Sequence, residues 1–277
     1  MNHIKRICSV YFSPCGNVKQ IVSTMAQHAG EQLNLPVVEM DFTLPEQREG
    51  KYVFEADELV FFGTPVYAGR VPNKIMPYIR DSFMGNGAYA VPIVVFGNRN
   101  FDDALVELSL LLEQNGFQTV AGAAVVSRHS FSKVIAPDRP NEQDKADWKV
   151  FVRNVLQKLE TSSKEKIQIS DLLPGTNPPE KYYTPLGIDG QPAKFLKAHP
   201  KTDSALCKKC GICAANCPMG TIHRENPSVT EGLCIKCQSC IQKCPMQAKY
   251  FDDSAFLSHK QMLEQNFDRP AASVFIS

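Results

Sequence analysis

Eight of the ten cysteines in this 277-residue chain fall into two runs of identical spacing. The first is Cys207-x-x-Cys210-x-x-Cys213-x-x-x-Cys217-Pro218 and the second is Cys234-x-x-Cys237-x-x-Cys240-x-x-x-Cys244-Pro245. Three thiolates at this spacing wrap one cubane [4Fe–4S] cluster, and the fourth cysteine of the run reaches across to the other cube. The spacing therefore predicts one cluster on Cys207, Cys210, Cys213 and Cys244, and a second on Cys234, Cys237, Cys240 and Cys217. The chemistry implied is the movement of single electrons. Zinc accounts for four ligands in a tetrahedral site, but not for two triplets that each run on to Cys-Pro. A disulfide framework needs an oxidising compartment. Here Met1-Asn2-His3-Ile4-Lys5 leads directly into a strand-like pattern without an apolar leader. No apolar run approaches the roughly 18 residues of a membrane helix. The expectation is a soluble, cytoplasmic chain with no membrane partner.

The bulk numbers describe what surrounds the cysteines. The length suggests about two domains, and a hydrophobic fraction of 43% supports an ordinary core. A formal net charge of +1 proposes no nucleic-acid partner. Residues 201–250 are different: seven Lys/Arg stand against three acids, a net of +4. Two oxidised cubes with their thiolates, at about −2 each, would offset most of that charge. The alternative is a basic docking face for an acidic redox partner.

The elements that position a site lie upstream. Apolar runs at Arg6–Phe12, Pro36–Phe42, Leu59–Phe62, Val91–Phe96 and Thr119–Val126 read as strands. Helical spacing links Val18, Ile21, Val22, Met25, Ala26 and Ala29. It recurs in Phe101–Leu112 and in Trp148–Leu159, and Pro72–Phe83 reads as a further helix. This alternation predicts an α/β domain with a doubly wound, five-stranded parallel sheet of order 2-1-3-4-5, the flavodoxin-like arrangement. Ligands on such sheets bind beyond the carboxyl ends of the strands.

The loops at those ends carry donors and aromatics. After strand one, Ser13-Pro14-Cys15-Gly16-Asn17-Val18 opens a helix whose free N–H groups suit a phosphate. The loop lacks the Walker lysine pattern, so a nucleoside triphosphate is not its obvious ligand. Thr64-Pro65-Val66-Tyr67-Ala68-Gly69-Arg70 and Gly97-Asn98-Arg99-Asn100-Phe101 each combine an aromatic, a glycine and an arginine, and an aromatic there can stack on a planar ring. His129 follows strand five.

With Tyr11-Phe12-Ser13-Pro14, Gly63–Arg70, Gly97-Asn98-Arg99 and the doubled cysteine run together, the chain resembles the flavodoxin–ferredoxin fusion proteins of anaerobic bacteria, the "ferrodoxins". The resemblance implies FMN on the first domain and two [4Fe–4S] clusters on a small α+β ferredoxin domain. It places the FMN phosphate on Ser13, Cys15, Gly16, Asn17 and Val18. The ring falls among Thr64, Pro65, Val66, Tyr67, Gly97, Asn98, Arg99 and Phe101, with His129 near its edge. Cys15 and Val18 stand where such loops usually carry threonine, so two hydroxyl donors are missing. Lys19 is a candidate to compensate by charge.

The expected division is an FMN domain at 1–161, a linker at 162–200, the cluster domain at 201–250 and a tail at 251–277. Tyr182, Tyr183 and Phe195 favour a linker pinned to the body, and Val274-Phe275-Ile276 a tail that docks back. The leading expectation for function is electron transfer between FMN, the clusters and redox partner proteins. A flavin-dependent reductase of a small substrate is the rival, and a redox sensor the third reading. Oligomeric state is left open.

Overall fold

A computed structural model describes residues 4–161 and 169–277. The readings that fall on residues 1–3 and on linker positions 162–168 lie outside the described residues. Strands β1 (Arg6–Tyr11), β2 (Val37–Asp41), β3 (Glu58–Pro65), β4 (Tyr89–Phe96) and β5 (Gly122–Val126) pair in parallel in the order 2-1-3-4-5. The side chains of β1, β3, β4 and β5 are buried on both faces, the condition for near-continuous apolar strands, while the edge strand β2 is only half-buried. Helices α1 (Asn17–Leu33) and α4 (Glu142–Thr161) cover one face, and α3 (Ala104–Gln114) packs on the other. A helix α2 spans Met76–Ser82. Helix α1 presses close to β3: a Cβ on Gly63 would lie 2.3 Å from Val22 Cγ2.

The sheet departs from a five-stranded parallel one at two places. Strand β6 (Val274–Ile276) adds antiparallel to β5, so the sheet is mixed, and with the separate short strand Gln118–Thr119 it has seven strands. Phe275 of β6 packs on Phe151 with ring centroids 5.1 Å apart. The run read as one fifth strand is broken. Gln118–Thr119 pairs with Tyr89–Ala90, then one extra residue is inserted before Ala123 pairs with Ile93. The insertion lies opposite Val91-Pro92, where Pro92 has no N–H to offer the ladder. Helix α2 begins at Met76 instead of Pro72, with Pro77 in its first turn, where a missing donor costs nothing.

The cysteine-rich segment carries two four-residue helices, α5 (Ile212–Ala215) and α6 (Ser239–Gln242), and an antiparallel pairing of Lys201–Thr202 with Lys249–Tyr250. Helix α7 (Ser254–Asn266) follows, capped by Asp253, whose carboxylate accepts from Phe256 N.

The connector runs along the body. Ile169 and Leu173 are buried beside Gly122 and Leu105. Asp103 accepts hydrogen bonds from Thr176 N, Thr176 Oγ1 and Glu180 N at 2.7–2.8 Å. Tyr182 OH donates to Val71 O and Tyr183 N to Ala68 O. Burial works to raise the Asp103 pKa, but the bonds from Thr176 and Glu180 outweigh it and hold the pKa below the ordinary value. The stabilisation is therefore full above about pH 4 and is lost as pH falls through the depressed folded value. Asp103→Ala is expected to cost roughly 3 kcal/mol of unfolding free energy and to open 174–183 to limited proteolysis. Wild-type resistance in the variant would contradict this account of the connector.

Candidate functional site

The two cysteine runs exchange their last members around two cavities. One is lined by Cys217, Cys234, Cys237 and Cys240. The other is lined by Cys207, Cys210, Cys213 and Cys244. The turns that aim these sulfurs use left-handed backbone at equivalent positions: Lys209 and Gly211 in the first run, Lys236 and Gln238 in the second. Among the described residues no three His, Cys, Asp or Glu side chains converge tightly enough to hold a single metal ion. Tetrahedral zinc would need its thiolates about 3.8 Å apart.

Burial pushes the pKa of Cys234 and Cys237 up, and that of Cys240 to about 12. Lys236 N donates to Cys234 Sγ at 3.4 Å and Ala248 N to Cys244 Sγ at 3.3 Å. Lys236 lines the first cavity and Lys249 the second, and both are buried.

The first cavity faces the carboxyl edge of the sheet. Cys15 Sγ donates to Cys237 O at 2.9 Å. Arg48 donates to Phe42 O, Thr43 O and, across to the cysteine-rich segment, Pro218 O at 2.5 Å. Gln242 Nε2 donates to Ser130 O at 3.0 Å. Tyr67 is half-buried at this contact, where loss of solvent around the phenol raises its pKa well above normal and the Cys237, Cys15 and Cys234 sulfurs add to the shift.

The loop after β1 is a donor cradle. Gly16 has φ +90°, and a Cβ there would meet nothing within 4 Å. No hydrogen bond is formed by the N–H groups of Cys15, Asn17 and Val18 among the described residues. Ser13 Oγ accepts from Lys19 N at 2.9 Å, which leaves its O–H free to donate. The Val18 side chain is core, packed at Gly63, so this residue offers the site only its N–H. Lys19 does not supply the compensating charge, because its ammonium pairs with Glu39 at 2.7 Å. Two other cations do approach. Burial pushes the Cys15 thiol up to about 12, and Lys243 and Arg128 pull it back.

The remaining loops divide. Thr64 Oγ1 at the end of β3 and Ser127 Oγ after β5 are buried without a partner, two orphaned hydroxyls at the same sheet edge. Pro65 ends β3, Val66 N donates to Val95 O, and Tyr67 N and Arg70 N close a tight turn on each other's carbonyls. Asn98 is engaged elsewhere. Its Nδ2 donates to Phe267 O and Arg269 O, and its Oδ1 accepts from Ala271 N, so its side chain anchors the tail. Arg99 pairs with Asp102 and lies 4.0 Å over the Tyr183 ring. Phe101 packs on Phe96.

His129 sits against Gly97, where a Cβ would fall 2.5 Å from its Cδ2. Its Nδ1 accepts from Phe131 N at 3.1 Å, so the proton of the neutral ring is on Nε2. Burial, with His259 and Arg99 nearby, lowers its pKa to about 4. The unfolded ring titrates near 6.5, so His129 contributes stability that is full above that pH and is lost as pH falls toward 4, about 3 kcal/mol in all. Denaturant unfolding at pH 7 and pH 5 is expected to show this loss in the wild type and a smaller one in His129→Gln. Equal losses would show that His129 is not the titrating group.

Arg128, Ser127, Lys236, Lys243 and Lys249 escape a sequence reading. For the three lysines the one sequence-level signal is the excess of positive charge in 201–250, and for Ser127 and Arg128 it is their place after strand five, because the contacts that matter are long-range.

No protein-family model matches the chain, and no curated protein does. Among solved structures it is similar to a flavodoxin from the domain Archaea, at 14% identity over 57% of this chain and 99% of that one, TM-score 0.38. A Streptococcus pneumonia TIGR4 flavodoxin gives 16% over 56% and 99%, TM-score 0.37. An NADH:FMN oxidoreductase in its apo form gives 14% over 59% and 94%, TM-score 0.42. The flavodoxin-like fold is defined by the strand order itself. Among the described residues no helix is long and apolar enough to cross a membrane.

Proposed function

We propose that this chain is a cytoplasmic electron-transfer protein that carries FMN on the carboxyl edge of its parallel sheet and two [4Fe–4S] clusters in its cysteine-rich segment, as the resemblance to flavodoxin–ferredoxin fusions implies. The observation that carries the reading is the pair of four-cysteine cavities, one of them held against the Cys15 and Tyr67 loops. When bound, FMN supplies two-electron and one-electron chemistry, and each cluster supplies one-electron chemistry. The residues supply the rest. The N–H groups of Cys15, Asn17 and Val18 and the Ser13 hydroxyl hold the phosphate, with Arg128 and Lys243 as its counter-charges. Thr64 and Ser127 offer hydroxyls to the ring system. Tyr67 and the Cys234–Cys237 turn cover the edge and keep water out. Arg48, Gln242 and Cys15 fix the spacing between the two redox sites.

A reductive titration of anaerobically purified protein tests this. Uptake of about four electrons per chain is expected, two by the flavin and one by each cluster. Uptake of two or fewer, with no bleaching of cluster absorbance, would overturn it.

The second cavity lies at the outer end. Cys210 is exposed there, with Leu206 46% and Ile212 38% accessible and Lys208, Lys209 and Arg224 exposed around them. An apolar centre with a basic rim suits an acidic redox protein, and rim charges act chiefly on association rate. Electron exchange with such a partner is expected to slow with added salt, and the Lys208→Glu/Lys209→Glu variant to lose most of that dependence. A salt-independent wild-type rate would remove the docking face.

The Arg99, Tyr183, His129 and His259 group favours a second reading, a flavin-dependent reductase. Steady-state turnover of a small substrate would establish it.

A further inference from the structure

We propose that Lys236 and Lys249 are built-in counter-charges that set the reduction potentials of the two clusters, Lys236 acting on the flavin-facing one and Lys249 on both. This rests on the cluster reading above and adds to it the residues that tune electron affinity.

An ammonium taken out of water costs several kcal/mol unless an anion stands beside it. Lys236 is 9% accessible and Lys249 3%. Neither forms an ion pair among the described residues. Lys236 Nζ donates to Leu196 O and Cys234 O, and Lys249 Nζ donates to Pro227 O. Carbonyls satisfy the N–H groups but carry no net charge. The acid that acts on Lys236 from nearby is Asp253, whose carboxylate is committed to capping α7.

Both lysines line four-cysteine cavities, and this decides what the anion is. Lys236 Nζ reaches the Cys234 carbonyl in the inner cavity. Lys249 lines the outer cavity, its strand touches α6, which carries Cys240 of the inner one, and Cys213 and Cys240 pack in one cluster, so Lys249 stands between the two. A cube with its four thiolates carries about −2 when oxidised and about −3 after taking one electron. No bond forms or breaks in that step. A fixed positive charge at short range in a poorly screened interior favours the more negative state, which raises the potential. The same charge explains how two ammonium groups tolerate burial without carboxylate partners.

The test is an EPR-monitored redox titration of the full chain, with Lys236→Met, Lys249→Met and the corresponding arginine variants. Iron and sulfide counts on the wild type come first, because their absence would overturn the cluster reading itself, and this proposal with it, before any lysine is changed. With clusters present, Lys236→Met should lower one midpoint and Lys249→Met both. Each shift should be at least tenfold in the one-electron equilibrium constant, 59 mV. The arginine variants should stay near the wild type. Clusters lost in a methionine variant and kept in its arginine counterpart would also support the proposal. Full iron content with unmoved midpoints in the methionine variants would overturn it, as would equal cluster loss in the methionine and arginine variants.

Discussion

Cys244→Ser is expected to empty the outer cavity and leave the inner one loaded, although Cys244 belongs to the second cysteine run. The expectation follows from the exchange of last members. Cys244 lines the same cavity as Cys207, Cys210 and Cys213, and Cys217 joins Cys234, Cys237 and Cys240. A serine hydroxyl is a much poorer ligand for iron than a thiolate, so the cluster that loses a corner should be lost or strongly depleted. Iron should fall from about eight to about four atoms per chain. Alkylation of the variant followed by mass spectrometry should label Cys207, Cys210 and Cys213. Cys217→Ser should give the complementary pattern, with Cys234, Cys237 and Cys240 labelled. Labels on Cys234, Cys237 and Cys240 in Cys244→Ser would mean that each run closes its own cluster.

The second large effect concerns the phosphate. The loop after β1 offers no side-chain hydroxyl at Cys15 or Val18, and Lys19 is paired with Glu39. Backbone N–H groups remain, together with two cations close enough to act on the Cys15 thiol, Arg128 and Lys243. Lys243 comes from the cysteine-rich segment, where its ammonium also donates to Asn216 Oδ1 at 2.8 Å. A charge-assisted contact contributes about 1.5 kcal/mol, so removing both cations should weaken FMN binding about 100-fold. Riboflavin lacks the phosphate and supplies the control. Titration of flavin-depleted Arg128→Ala/Lys243→Ala protein should show the loss for FMN and little change for riboflavin. Equal loss for both, or none for FMN, would contradict the assignment of these two cations to the phosphate.

The sheet order was legible because its cause is local. Parallel strands buried on both faces read as short apolar runs, and α1 and α4 announce themselves through Val18, Ile21, Val22, Met25 and through Trp148, Val152, Val155, Leu159. The break in the fifth strand left one local mark, Gly122 inside the apolar run 119–126, a residue that inside a strand pattern points to a bulge. The extra residue is accommodated opposite Pro92 of the neighbouring strand, a partner that the run itself does not reveal. Strand β6 is three residues long, and what fixes it is the open edge of β5, which lies about 150 positions upstream in the sequence.

The candidate site divides the same way. The cysteine spacing is a local pattern and carries its chemistry with it. Asn98 looked like a loop residue free to meet a ligand, yet its amide is filled by carbonyls and an amide N–H from 267–271. The roles of Lys236, Lys243 and Lys249 depend on burial and on facing elements, and side-chain type alone reveals neither. The pinned connector was readable through Tyr182 and Tyr183, whereas its strongest fastening, the Asp103 carboxylate, resembles any acid at a helix start.

Cofactor analysis of oxygen-free, full-length protein tests the central claim most directly. The account predicts about eight iron atoms, about eight acid-labile sulfides and one FMN per chain. Colourless protein, or protein carrying zinc in place of iron and sulfide, would contradict it.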